Sequence, residues 1–254
     1  MTAGTLAITM AGFGRRFADA GHTRPKYELV ALDRPLFDWS MAGLAGFLDA
    51  GWHLRLAARA GEGAREFIMA RAAVRGLPVD AVIELDAPTD GQATTALHLA
   101  QTAAPDAPFA VFNIDTFVAP GALDPAAIPA DAAGWVPCFD APGDGWSFAR
   151  ADAAGRIVEL REKRRIAPHA TIGFYWFASA RLYCDLYARF FADAGGVEAG
   201  ERYIAPMYNA LIAQGAPVYI AHVPVAAMGA LGTPDQVAAF QADPPPAARA
   251  MALI

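Results

Sequence analysis

Four short apolar runs in the first half of the chain, TLAITM, WHLRLAA, DAVIEL and FAVFNI, are each separated from the next by an amphipathic stretch. Parallel strands cannot be joined by tight hairpins and need helical crossovers. The alternation therefore specifies βαβ units that feed a mostly parallel sheet. Residues 36–50 show how one crossover helix is written: Phe37, Met41, Leu44 and Leu48 recur at spacings of four, three and four, a single helical stripe. Pro35 is suited to start that helix and Gly51 to end it. Residues 64–75 and 94–103 are predicted as further helices, with ends uncertain by about 2–4 residues.

Past Asp115 the rhythm changes. The Pro- and Ala-rich PGALDPAAIPADAAG is a connector to GWVPCF, WSFAR and RIVEL, which are predicted as antiparallel strands. ADAAG between the last two fits a hairpin turn, since Asp and Gly adopt turn conformations. A strand over ATIGFYWFA, helices over 182–194 and 202–214, a strand over VYIAHV and a helix from Pro234 follow. The end, PPPAARAMALI, is expected to dangle or to cap a partner.

Composition narrows the class. A 55% hydrophobic fraction with 18% charged residues excludes a largely disordered chain. The formal net charge of -6, with Lys and Arg scattered, lacks the basic stripe that neutralises a nucleic-acid backbone, so nucleic acid is not an expected partner. The opening MTAGTLAITMAG has no charged start, and no later stretch reaches the roughly 18 apolar residues of a membrane span. Neither a leader nor a membrane partner is expected, and a cytoplasmic location follows. Cys138 and Cys184 lack metal-type spacing and are expected as isolated reduced thiols.

The strongest local signal is ITMAGFGRRFADAGHTRPKYELVALDRPLF, a strand running into a glycine loop and then into Arg16, Pro25 and Lys26. Gly12 and Gly14 present backbone N–H groups without a Cβ in the way, which suits an anion cradle. A bare G-x-G is also an ordinary turn; the full ordered string is far rarer. Arg and Lys beside such a loop provide the charge stabilisation that phosphoryl and nucleotidyl transfer require. FNIDTFV puts Asp115 at the carboxyl end of an apolar strand, the edge where open α/β sheets bind ligands.

This string resembles the signature of the sugar-phosphate nucleotidyltransferase family, G-x-G-[ST]-R, then P-K, then a short strand and a Pro-initiated helix. The variant RF, RPKY and PLFDWSM is most similar to small stand-alone members found in capsule and surface-polysaccharide clusters. The resemblance implies a three-layer Rossmann-like nucleotidyltransferase α/β fold. It implies one domain, with a nucleotide half over residues 1–115, an acceptor half over 116–242 and a tail over 243–254. It implies that Arg16 and Lys26 are catalytic and bind the triphosphate, with Ala11, Gly12 and Gly14 at the nucleotide. In DGQATTAL, Gly91 and Gln92 correspond to residues that touch the base; the alternative is a plain helix start capped by Asp90.

The family's metal-binding Asp corresponds to Asp115, which implies Mg²⁺ held by a carboxylate and phosphate oxygens. VELREKRRIAPHATIGFYWF is similar to the family's acceptor stretch, so that Glu162, Lys163 and Gly173 correspond to acceptor-binding residues. Two departures stand out. Arg15 replaces the usual Ser or Thr, and Ala230 stands where longer members complete the metal site with Asp, leaving Glu201 or Asp90 as possible helpers. The expected partners are a nucleoside triphosphate and a phosphorylated small molecule, with an oligomer left open. Two rivals stay open: a nucleotide- or sugar-binding regulatory module that lost catalysis, and a glycosyltransferase of related fold, although NIDTF lacks its D-x-D motif.

Overall fold

The computed structural model describes residues 3–192, 196, 197 and 200–252. In chain order the strands are β1 (Thr5–Thr9), β2 (Val30–Ala31), β3 (Arg34–Pro35), β4 (His53–Arg59), β5 (Val79–Leu85), β6 (Phe109–Asn113) and β7 (Thr116–Val118). They continue with β8 (Gly134–Asp140), β9 (Ser147–Ala151), β10 (Ile157–Glu162), β11 (His169–Thr171), β12 (Phe174–Phe177), β13 (Val218–His222) and β14 (Met228–Ala230). The helices are α1 (Arg15–Asp19), α2 (Leu36–Ala42), α3 (Ala45–Asp49), α4 (Ala64–Arg75), α5 (Gln92–Ala100), α6 (Ala180–Phe190), α7 (Tyr208–Ala213), α8 (Pro234–Ala242) and α9 (Pro246–Ala252).

One large mixed sheet runs β10-β9-β11-β8-β12-β6-β1-β4-β5, with β13 also paired to β8. Its first half, β6-β1-β4-β5, is parallel throughout. The second half joins it through β12, which is antiparallel to both β6 and β8. The layers follow from strand periodicity. Successive side chains point to opposite faces, so Leu6 and Ile8 enter one core with Phe37, Phe47 and Ile68 of α2, α3 and α4. Ala7 enters the other, with Ala96, Leu99, Tyr183 and Leu186 of α5 and α6. Strands covered on both faces read as unbroken apolar runs, which is why β1 and β6 are so plain in the sequence. The result is a three-layer α/β Rossmann-like fold.

Helix α4 spans the predicted 64–75, while the helix predicted over 36–50 is two helices. A Cβ on Gly43 would lie 2.8 Å from the Val118 Cβ, so the chain passes against β7 there and the helix does not run on. The single strand predicted over ATIGFYWFA is likewise β11 and β12, divided at Gly173, whose φ is 81°. The helix predicted over 182–194 starts earlier, where Ser179 Oγ accepts the Leu182 N–H at 3.0 Å; its expected end at Ala194 lies outside the described residues. The helix predicted over 202–214 begins as a 3₁₀ turn at Ala205–Met207 and continues as α7. The helix predicted over 94–103 lies at Gln92–Ala100.

The C-terminal stretch does not dangle. Residues of α9 pack beside Trp39, Phe117 and Phe240 in a third cluster that buries Ala248 and partly covers Met251. The Arg34 guanidinium also donates to the Met251 carbonyl. Ala247, Ala248, Met251 and Ala252 give this short helix an apolar face to bury, which the Pro- and Ala-rich composition concealed. Among the described residues no helix is long and apolar enough to cross a membrane.

Candidate active site

The carboxyl ends of β1, β4 and β6 open into a cavity of about 1120 Å³. The turn after β1 carries Gly12 and Gly14 into it. Gly14 has φ 59° and leads directly into α1, so that Arg15 and Arg16 begin a helix at the cavity wall. At Gly12 an added Cβ would meet nothing within 4 Å, so packing within the fold does not demand glycine there. What its bare backbone offers is close approach to a ligand.

Lys26 follows Pro25 and reaches across to Asp115 just beyond β6, with Nζ 2.7 Å from Oδ2 and both side chains about one-quarter exposed. Asp115 is fixed from the other side. Its carbonyl accepts the Leu231 N–H at 2.8 Å, and a Cβ on Gly232 would stand 3.2 Å from its Oδ2. Gly232 N–H donates to Gln236 Oε1 at 2.9 Å, which pins the start of α8 to this edge. The cavity wall thus gathers Ala11, Gly12, Gly14, Arg16, Lys26, Gly91, Gln92 and Asp115.

The charge balance of this wall differs from that of the chain. Lys26 pairs with Asp115, Arg59 with Glu62, and Asp90 with Arg202. Arg15, Arg16 and Arg24 also line the cavity, and among the described residues they have no hydrogen-bonded or ion-pair partner. An acidic protein therefore carries a local surplus of guanidinium charge beside its glycine loop, an arrangement that favours a compact polyanion.

Gln92 Nε2 donates to Thr9 Oγ1 at 3.1 Å, on the floor of the cavity. Gly91 has a packing reason of its own: with φ 147°, its Cβ would lie 2.4 Å from the Arg202 carbonyl oxygen. Asp90 does not cap α5 through its side chain; it accepts from Thr94 Oγ1, and Gly91 occupies the cap position. Glu162, Lys163 and Gly173 do not line the cavity. Glu162 accepts from Ser147 Oγ. Lys163 has φ 47° and donates from Nζ to the Tyr203 hydroxyl at 2.7 Å, a hydrogen bond that holds its ammonium above the usual lysine range. Glu201, which is bonded to Tyr203, does line the cavity, so one residue separates Lys163 from it.

Several lining residues received no role from the sequence, among them Thr9 and Arg59, and Tyr27 and Asn113 within the RPKY and FNIDTFV strings. Asn113 Oδ1 is buried without a partner, and Gly173 packs on its side chain. Only their place at strand ends could have marked Thr9, Arg59 and Asn113. Ala230 pairs with Thr116 across β14 and β7, one residue from Asp115, and lines a shallow cavity of about 210 Å³ with Phe240 and Ala239 instead of the main one. Among the described residues no three His, Cys, Asp or Glu side chains converge as a metal cage.

A parallel half-sheet with a glycine loop and a strand-end carboxylate, joined to an antiparallel half, defines a Rossmann-like nucleotidyltransferase fold. Comparison with solved structures agrees. The chain is similar to the nucleoside-diphosphate-sugar pyrophosphorylase from Vibrio cholerae RC9, with 29% identity and a TM-score of 0.84 over 94% of this chain and 100% of that one. It shares its fold with the inositol-1-phosphate CTP transferase from T. maritima, with 15% identity and a TM-score of 0.72 over 93% and 92% of the two chains. The same holds for the UDP-glucose pyrophosphorylase from Acinetobacter baumanii, with 14% identity and a TM-score of 0.71 over 98% and 97%. No family model and no curated protein matches the sequence. The chain thus shares the nucleotide-diphospho-sugar pyrophosphorylase-like fold of these structures.

Proposed function

We propose that this protein is a nucleotidyltransferase that joins a nucleoside triphosphate to a sugar phosphate and releases pyrophosphate, as a step in making surface-polysaccharide precursors. The observation that carries the reading is the meeting of Lys26, Asp115, Gly232 and the loop Gly12–Arg16 in one cavity at the carboxyl edge. In the reaction an oxygen of the acceptor's phosphate attacks the α-phosphorus, the bond to the bridging oxygen breaks, and pyrophosphate leaves with the electron pair. No bond to the protein is needed. Arg16 and Lys26 offset the charge that accumulates on the departing group, and the loop N–H groups align the phosphate chain.

Mg²⁺ characteristically takes one or two carboxylates and completes its shell with substrate phosphates and water. Asp115 is the residue here that would hold it, and the ion would supply further neutralisation of phosphate charge. Lys26 engages Asp115 Oδ2, and among the described residues Oδ1 has no hydrogen-bond partner, so the carboxylate keeps an oxygen for the ion.

A pyrophosphate-release screen of the common nucleoside triphosphates against sugar phosphates and other phosphorylated metabolites, phosphocholine included, tests the reading. At least one sugar phosphate should support Mg²⁺-dependent turnover. Release with no sugar phosphate but with another phosphorylated metabolite would move the acceptor class, and no release with any pair would remove the enzymatic reading in favour of a binding module.

A further inference from the structure

Phe13 is 48% exposed at the mouth of the cavity, and it is not idle there. The Arg15 guanidinium lies 5.0 Å from its ring centroid and the Arg59 guanidinium 5.2 Å. Two cations that would otherwise repel are brought to one aromatic ring, which favours each electrostatically. A ring so engaged serves as a pedestal for guanidinium groups and has little face left for stacking a base.

Beneath it lies a second observation. Tyr27 lines the same cavity and is 2% exposed, yet its hydroxyl has no hydrogen-bond partner. A buried hydroxyl without a partner is costly unless a ligand or water satisfies it. Burial, reinforced by the carboxylates of Glu62 and Glu28, pushes this phenol well above its ordinary value, so it meets a ligand as a donor.

The sheet order sets the span. β6, which leads to Asp115, and β4, which ends in Arg59, flank β1 on either side. Two strand spacings amount to roughly 10 Å. A phosphate chain lying over the glycine loop can therefore meet Lys26 where the α-phosphate joins the departing pyrophosphate, while the long side chains of Arg15 and Arg59 reach its far end. Arg59 is bonded to Glu62, and among the described residues its remaining N–H groups have no hydrogen-bond partner.

We infer that Arg15, Arg59 and the Tyr27 hydroxyl form an anion subsite on the β4 side of the cavity that seats the terminal phosphates of the triphosphate, with Phe13 holding the two guanidiniums in place. Arg15 is thus not a lost hydroxyl contact but a replacement of different reach. The inference rests on the nucleotidyltransferase reading for the identity of its ligand.

Calorimetric titration of the full chain with inorganic tripolyphosphate, and separately with a nucleoside monophosphate, tests it. Arg15→Gln and Arg59→Gln should each weaken tripolyphosphate binding by about tenfold or more, the value of a charge-assisted hydrogen bond, and Tyr27→Phe by a smaller factor. Glu62→Gln should strengthen it, because a competing carboxylate is removed; a merely unfolded variant cannot produce that sign. Monophosphate binding should stay within about twofold throughout. Tripolyphosphate affinity unchanged in both arginine variants, or monophosphate affinity lost in parallel, overturns the subsite. A parent that binds tripolyphosphate through Arg59 but turns over no nucleotide keeps the subsite and removes the enzymatic reading. A parent that turns over nucleotide while the arginine variants are indifferent does the reverse.

Discussion

Lys26 and Asp115 close at 2.7 Å across 89 residues of sequence, with side chains 21% and 25% exposed. A pair this open to solvent contributes on the order of 0–1 kcal/mol. It stabilises the fold little and separates readily when a stronger anion arrives, which suits a residue that must exchange a carboxylate for phosphate. Lys26→Ala and Arg16→Ala are each expected to lower turnover at least about a hundredfold, the range for removing a preorganised transition-state charge. Thermal unfolding should move little in either variant. Activity within a few-fold of the parent for both would end their assignment as catalytic. Asp115→Asn is expected to abolish Mg²⁺-dependent turnover, because among the described residues no cluster of three His, Cys, Asp or Glu side chains stands ready to hold the ion in its place. Mg²⁺ titration of the initial rate checks this, and an unaltered dependence would place the ion elsewhere.

At the scale of elements, the glycines that break the predicted segments are where the chain touches itself. Gly173 combines φ 81° with a position from which a Cβ would stand 2.1 Å from Asn113 Nδ2. Gly173→Ala is expected to destabilise the fold by about 2–4 kcal/mol, through left-handed backbone strain and displacement of Asn113. Urea denaturation should register this as a lower midpoint, and an unchanged midpoint would mean that Asn113 moves aside freely. Such contacts explain what was legible beforehand. β1, β4, β5, β6 and α4 announce themselves through local periodicity, which depends only on their own residues. The break at Gly43 depends on Val118, the turn at Gly173 on Asn113, and the shape of Gly91 on the Arg202 backbone. Each partner lies far off in sequence and leaves no local trace. The site divides in the same way: the glycine loop, Lys26 with its neighbour Tyr27, and the Asn113–Asp115 strand end are written in motifs, while Arg59 joins them only because strand order sets β4 beside β1.

At the scale of the whole molecule, the short segment Glu201–Tyr203 ties the parallel half to the antiparallel half. Arg202 N–H donates to the Asp90 carbonyl at 2.8 Å and its own carbonyl accepts the Ala93 N–H at 3.0 Å, so its backbone runs along the start of α5. One residue on, Tyr203 receives the Lys163 ammonium, both as a hydrogen bond of 2.7 Å and with Nζ 4.8 Å from the ring centroid. Lys163 therefore stands on the antiparallel side of a strap whose other side faces the floor of the cavity. If the acceptor's phosphate draws Lys163 from Tyr203, removing the ammonium should act on the acceptor alone. Lys163→Ala is expected to raise the acceptor's KM about tenfold or more, the value of one charge-assisted contact, with kcat falling as well if that contact tightens during attack. The KM for nucleoside triphosphate should stay within about twofold, because the backbone bonds of Arg202 to Asp90 and Ala93 do not involve the lysine. Initial rates with each substrate varied in turn decide the matter, and a defect confined to nucleotide affinity would show that the two halves of the cavity serve the opposite substrates.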